Sequence, residues 1–158
     1  MTEDRPLRIG VIGSGESRPE ITELARQVGE GIAREGAVLV CGGLGGVMEA
    51  AAEGARAAGG ITVGILPGAE PASANRAILI PIPSGLGEAR NALVVRASEA
   101  VIGVAGGWGT LAEAAFCLKL GVPLILLASE LPELPVPRAQ SADQAVGWAI
   151  EQAGARRG

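Results

Sequence analysis

Apolar residues along this chain fall into two rhythms. Short, nearly continuous runs at Leu7–Ile12, Ala37–Val40, Ile61–Leu66, Ile78–Ile82, Ala100–Ala105 and Val122–Leu127 read as strands. Between most of them the apolar positions recur three or four residues apart. Ile21, Leu24, Val28 and Ile32 mark one face of a helix that runs from about Ser17 to Glu35 and stops at Gly36. Further helices are expected over 47–58, over 86–98, from Thr110 to about Leu120, and from Ser141 to about Gln152. Three capping boxes are predicted: Ser17 with Glu20, Thr110 with Glu113, and Ser141 with Gln144. Pro67–Ala77 has two prolines and no period. Extended, it would reach about 36 Å, enough to cross a sheet without a helix. Leu131–Pro137 reads as a proline-rich loop and Ala153–Gly158 as a frayed tail.

Unbroken apolar strands alternating with helices predict an α/β fold: a doubly wound, Rossmann-like, mostly parallel sheet of about six or seven strands with helices on both faces. The chain reads as one domain over 1–158, with a core over about 7–152 and flexible ends. In a Rossmann-like order strands one and four would flank the switch point, where ligands bind beyond the strand C-termini. The loops after strands one, two, four and five would then meet at one crevice. Three of them are glycine-rich: Gly13-Ser14-Gly15, Gly42-Gly43-Leu44-Gly45-Gly46 and Gly106-Gly107-Trp108-Gly109. A strand that turns through glycines into a helix N-terminus presents backbone N–H groups and a positive dipole end to an anion.

Composition narrows the chemistry. The net charge of −4, one Phe and no Tyr leave neither a basic stripe nor a stacking platform, which argues against a nucleic-acid partner. Apolar runs stay short and the N-terminus lacks a signal-peptide core, so no membrane association and a cytoplasmic location are expected. Two cysteines, Cys41 and Cys117, make no disulfide framework. Histidine is absent and Asp occurs only at 4 and 143, so no metal site is expected. Acid–base work falls to Glu, and charge clamping to Arg, since Lys119 is the only lysine.

A dinucleotide fingerprint is weak here. Arg18 and Met48 stand where the first two glycine loops would need Gly or Ala, and Gly107-Trp108-Gly109-Thr110-Leu111-Ala112 fits the pattern on the wrong strand. No G-x-x-x-x-G-K-[ST] motif exists, so a P-loop NTPase is excluded. Glu113 has two readings, helix cap or crevice carboxylate, and it shares a face with Phe116, Cys117 and Leu120. Arg90 falls on the apolar face of its helix with Leu86, Leu93, Val94 and Ala97, and therefore needs an anionic partner, a bound phosphate or carboxylate among them, or a route to water. Arg96 points away. Trp108 could lid the site, stack on a base or pack on its own helix. Cys41, with no histidine to activate it, reads as a small buried residue, and Glu49 and Glu88 as dipole-complementing or surface acids.

These residues resemble a known superfamily. Gly106-Gly107-Trp108-Gly109-Thr110-Leu111-Ala112-Glu113 resembles the GGxGTxxE signature of the LOG-type proteins, formerly mislabelled lysine decarboxylases. Arg90 falls where that family carries its arginine motif, and Cys41–Glu49 resembles its earlier GG-x-x-G-x-M segment. The enzymes of the family hydrolyse the N-glycosidic bond of nucleoside 5′-monophosphates, cytokinin ribotides among them. Their motif reads R-K and P-G-G, whereas this chain has Arg90-Asn91 and Ala105-Gly106-Gly107. Those departures resemble the branch that includes molybdenum-cofactor carrier proteins, which bind a pterin phosphate without cleaving it. The resemblance also implies a homodimer or higher homo-oligomer.

The expectation is therefore a carrier for a small phosphorylated ligand, a nucleotide or molybdopterin-type molecule, with no other cofactor required. Gly13, Ser14, Gly15, Gly42, Gly43, Gly45, Gly46, Met48, Arg90, Asn91, Gly106, Gly107, Trp108, Gly109 and Thr110 would bind it. The alternative is a nucleoside-monophosphate phosphoribohydrolase in which Glu113 stabilises the oxocarbenium ion and Arg90 positions phosphate or ribose.

Overall fold

A computed structural model describes residues 4–158. Strands β1 (Arg8–Gly13), β2 (Val38–Cys41), β3 (Thr62–Leu66), β4 (Ile80–Pro83), β5 (Ala100–Val104), β6 (Leu124–Leu127) and β7 (Arg138–Ala139) form one sheet. Helices α1 (Pro19–Arg34), α2 (Val47–Ala57), α3 (Arg90–Ala97), α4 (Trp108–Leu120) and α5 (Ala142–Arg157) cover it. The order is β4-β3-β2-β1-β5-β6-β7 and every neighbouring pair is parallel. This is the doubly wound α/β fold that the alternating pattern predicts.

Side chains of each strand divide between two cores, as a period of two requires. Ile9, Val11, Leu39, Cys41, Ile102 and Ile125 face α1, α2 and α5. Ile12, Val38, Val40, Val101, Leu124 and Leu126 face α3 and α4. Helices α1 and α2 pack so closely that a Cβ at Gly29 would stand 1.8 Å from the Ala51 carbonyl oxygen, and one at Gly54 2.0 Å from that of Arg26. Among the described residues no helix is long and apolar enough to cross a membrane.

Five expectations are corrected. The switch point lies between β1 and β5, not between strands one and four. Pro81 and Pro83 cannot donate to an inner ladder, so β4 sits at the sheet edge beside β3, with Ile80 and Ile82 45% and 44% exposed. The helix expected from Leu86 begins only at Arg90. Gly85 and Gly87 hold positive φ values of 67° and 59°, and the chain makes a 3₁₀ turn over Gly87–Ala89 first. Ser17 does not cap α1, because Pro19 takes the first helical position and makes Arg18 the N-cap. The box of Thr110 and Glu113 does not form either, because α4 starts two residues earlier, at Trp108. The C-terminal tail is helical to Arg157, whose guanidinium bonds Glu99 and the carbonyls of Arg5 and Pro6. Only the Ser141 cap forms, its hydroxyl oxygen accepting from the Gln144 N–H at 3.1 Å.

Candidate functional site

Gly13 ends β1 against its neighbours: a Cβ there would lie 2.5 Å from the Val104 carbonyl oxygen and 2.6 Å from Val47 Cγ1. The following loop is latched to α2 by the Val47 N–H, which donates to Ser14 O at 2.9 Å. Beyond β5 the backbone bends sharply. Ala105 is fully buried at φ 52°, its N–H donates to Leu127 O at 3.0 Å, and Gly106 follows at φ 131°. Thr110, in the first turn of α4, is 3% exposed and fills the space where a Gly106 Cβ would stand.

These loops enclose a crevice of about 270 Å³ at the β1–β5 switch point. Gly13, Ser14 and Gly15 line one side, Gly107, Gly109 and Thr110 another, and Arg90, Asn91 and Met48 the rest, with Glu113 among them. Arg90 and Asn91 of the first turn of α3 and Gly109 and Thr110 of the first turn of α4 lie in this lining, so two positive dipole ends approach the crevice.

Arg90 is 8% exposed. Its Nη1 donates to Gly42 O at 2.8 Å and to Ile65 O at 3.0 Å, tying the guanidinium to the ends of β2 and β3. Its Nε is buried without a hydrogen-bond partner. No ion pair among the described residues joins Arg90 to a carboxylate. The positive charge is thus sunk into the protein and hydrogen-bonded only to neutral carbonyls, with the Glu113 carboxyl near enough to feel it but not ion-paired with it. On its helix only Asn91, Val94 and Val95 share the burial. Leu86 and Leu93, expected beside it, are 54% and 40% exposed.

Glu113 is half-buried in the second turn of α4 and caps nothing. Burial pushes its carboxyl up to about 7; the Arg90 charge opposes this and the Glu88 charge adds to it. Burial likewise pushes the Cys41 thiol up to about 12, which leaves it inert at neutral pH. Its Sγ accepts from the Gly43 N–H at 3.4 Å.

The second glycine loop is placed beneath the crevice rather than in its lining. Gly42 offers its carbonyl to Arg90, and a Cβ at that position would lie 2.0 Å from Nη1. Gly43 accepts from the Asn75 N–H. Gly46, at φ 67°, sits so close to Ser14 that a Cβ would be 2.4 Å from its carbonyl oxygen. Gly45 is half-buried and lies outside the lining. Gly106 and Trp108 face a neighbouring groove instead, and Trp108 is 87% exposed, so it does not pack on its own helix. Sequence reasoning missed Glu16, which lines the crevice mouth, and gave Glu88 no site role, although it lines the mouth as well. The position of Glu16 directly after Gly15 was the available signal.

The family model described as "SLOG cluster4 family" matches residues 6–153. A protein of Archaeoglobus fulgidus is 49% identical over 115 residues, 73% of this chain and 76% of that one. The molybdenum cofactor binding protein of Rippkaea orientalis superposes with a TM-score of 0.87 at 38% identity, covering 94% of this chain and 98% of that one. The molybdenum cofactor carrier protein of Chlamydomonas reinhardtii gives 0.83 at 34%, with 96% and 99% covered. A more distant likeness corrects the exclusion of nucleic acid drawn from composition. DNA processing protein A of Helicobacter pylori, whose structure concerns single-stranded DNA binding, shares the fold with a TM-score of 0.72 at 21% identity, covering 94% of this chain and 82% of that one. The exclusion of a nucleic-acid partner is therefore withdrawn, since a protein described by its single-stranded DNA binding has the same fold.

Proposed function

The chain belongs to the SLOG cluster4 family, and from that premise we propose that it is a carrier protein that holds a phosphorylated pterin-type ligand of the molybdenum-cofactor kind. One observation carries the reading. Arg90 is buried, fixed by two carbonyls and unpaired, in a crevice where two helix N-termini and the loops after β1, β4 and β5 converge. A phosphate supplies an anion for Arg90 and sits between the positive ends of two helices. The likeness to molybdenum-cofactor binding and carrier proteins at 38% and 34% identity supports the same ligand class. We place the protein in the cytoplasm, where buried thiols such as Cys41 and Cys117 persist reduced.

Ala105 supports holding over cutting. The hydrolase motif has proline at this position, and proline fixes φ near −65° and has no N–H. Here φ is 52° and the N–H is bonded to Leu127 O, so the loop takes a path that proline cannot follow. Asn91, 6% exposed, stands where the hydrolase motif has its lysine, so that cation is absent.

Isothermal titration calorimetry of the full chain with a pterin phosphate, nucleoside monophosphates and inorganic phosphate tests the proposal. Saturable binding that is lost in Arg90→Met is expected. No heat at millimolar ligand refutes it. A second reading, N-glycosidic phosphoribohydrolase, is favoured by the place of Glu113 in the crevice lining together with Arg90. Chromatographic release of free base from AMP, lost in Glu113→Gln, would establish it.

A further inference from the structure

Next to the crevice runs a second groove of about 280 Å³, between the loops that follow β5 and β6. Its walls are apolar: Trp108, Leu111, Leu131 and Pro132. The groove and the crevice meet at Gly107, where a Cβ would find no atom within 4 Å. A ligand whose phosphate sat in the crevice would reach the groove across Gly107, which carries no side chain. Trp108 is the most exposed of the large apolar side chains among the described residues, and a flat ring laid on it would cover its indole face.

The groove contains one charged group, Glu130. Its Oε1 accepts from the Arg18 guanidinium, which anchors the carboxylate from the side of the β1–α1 loop. That leaves Oε2 and the second lone pair of Oε1 to accept from a ligand. A carboxylate accepts and never donates at neutral pH. It thus favours a ring edge carrying two adjacent N–H donors and disfavours an edge with an acceptor nitrogen.

We propose that this groove is the heterocycle subsite and that Glu130 selects a 2-amino-4-oxo pyrimidine edge, the edge shared by pterins and guanine, over the 6-amino edge of adenine. Trp108 supplies the stacking face, and Arg18 is a positioning residue that holds Glu130. The inference rests on the carrier reading above, since it assumes a phosphate in the crevice. It assigns a selectivity to a loop that the family motifs do not include.

The test is a tryptophan-fluorescence titration of the full chain with inorganic phosphate, AMP, GMP and a 6-(phosphooxymethyl)pterin. GMP and the pterin should bind roughly tenfold or more tightly than AMP, the discrimination expected when a site built for a hydrogen bond meets a partner lacking it. Glu130→Gln should bring that ratio toward one. Trp108→Ala should abolish the fluorescence response, the remaining tryptophan being Trp148 of α5, which packs against the core on the α1, α2 and α5 side of the sheet. Both side chains are at the surface, so thermal melting serves as the check that each variant is folded. Phosphate binding with equal affinities for AMP and GMP overturns the inference and leaves the phosphate site standing. A ratio that survives Glu130→Gln overturns the role of that residue. No calorimetric heat with phosphate and with all three organic ligands overturns the carrier reading together with it. The pterin and GMP arms, compared directly, decide which of the two sources of this ring edge the groove prefers.

Discussion

Replacing Glu113 by glutamine separates a carboxylate kept for ligand binding from one kept for structure. Burial and the Glu88 charge, opposed by Arg90, move this carboxyl from an ordinary 4.5 to about 7. Each pH unit corresponds to about 1.4 kcal/mol, so ionised Glu113 costs the folded chain about 3 kcal/mol, an upper value because the side chain is only half-buried. The sign follows from which state holds the proton. Below pH 4.5 both folded and unfolded chains carry the neutral acid and the penalty is absent. Between 4.5 and about 7 the unfolded chain releases its proton first, so stability falls as pH rises through that window. Above about 7 the whole penalty applies. Glutamine has the shape of the neutral acid and cannot ionise. Glu113→Gln should therefore match the parent at pH 4 and melt higher at pH 8, by up to about 6–12 °C at the 2–4 °C per kcal/mol expected for a chain of this size. Circular-dichroism melts across pH 4–9 measure the difference. A variant that is equally stable or less stable at pH 8 refutes the reasoning, because it would mean that the carboxylate makes a bond the fold depends on.

Ala105→Pro should destabilise by about 3 kcal/mol or more, through a forbidden φ and a lost bond to Leu127 O. Ala105→Gly should be neutral or stabilising by about 1 kcal/mol, since glycine carries no left-handed penalty. Urea midpoints compare the two, and a tolerated proline would contradict the loop path. Arg90→Met should abolish calorimetric phosphate binding. It should also lower stability by roughly 2–4 kcal/mol, because the Gly42 and Ile65 carbonyls lose their donor. Removing residues 155–158 deletes the contacts of Arg157 to Glu99, Arg5 and Pro6. A loss of about 1–3 kcal/mol is expected in denaturant unfolding, whereas a frayed tail would cost nothing.

The strand–helix alternation was legible because buried parallel strands need unbroken apolar runs and amphipathic helices need a 3.6-residue period. The order of the strands was not. Nothing local distinguishes β4 from β5 as the neighbour of β1 except the prolines at 81 and 83, which mark an edge only once the edge rule is applied to them. Within the crevice, Gly13, Arg90 and Glu113 were readable from glycine turns and from the inward faces of helices. The role of Gly42 was not, because its close contact is with a side chain 48 residues away. The capping box of Thr110 and Glu113 misled for a physical reason. Glycines at 106 and 107 let the helix start at Trp108, and a two-residue shift turns a cap into a free carboxylate. Glu130 carried no sequence signal, since its pairing with Arg18 spans 112 residues.

The same raised carboxyl bears on whether the crevice cuts what it holds. Stabilising an oxocarbenium ion requires Glu113 to be ionised when ligand is bound. At neutral pH it is already about half protonated, and a phosphate brought beside it pushes its pKa further up by like-charge repulsion. On the proposed function, binding would therefore consume the negative charge that cleavage needs and would be accompanied by proton uptake. Arg90 works in the same direction. Its guanidinium is fixed by the Gly42 and Ile65 carbonyls before any ligand arrives, so it attracts a phosphate equally in the bound state and in a transition state. Such uniform attraction tightens binding without accelerating a chemical step. A neutralised carboxylate, a pre-fixed cation and a loop that follows a path closed to proline all favour retention of the ligand.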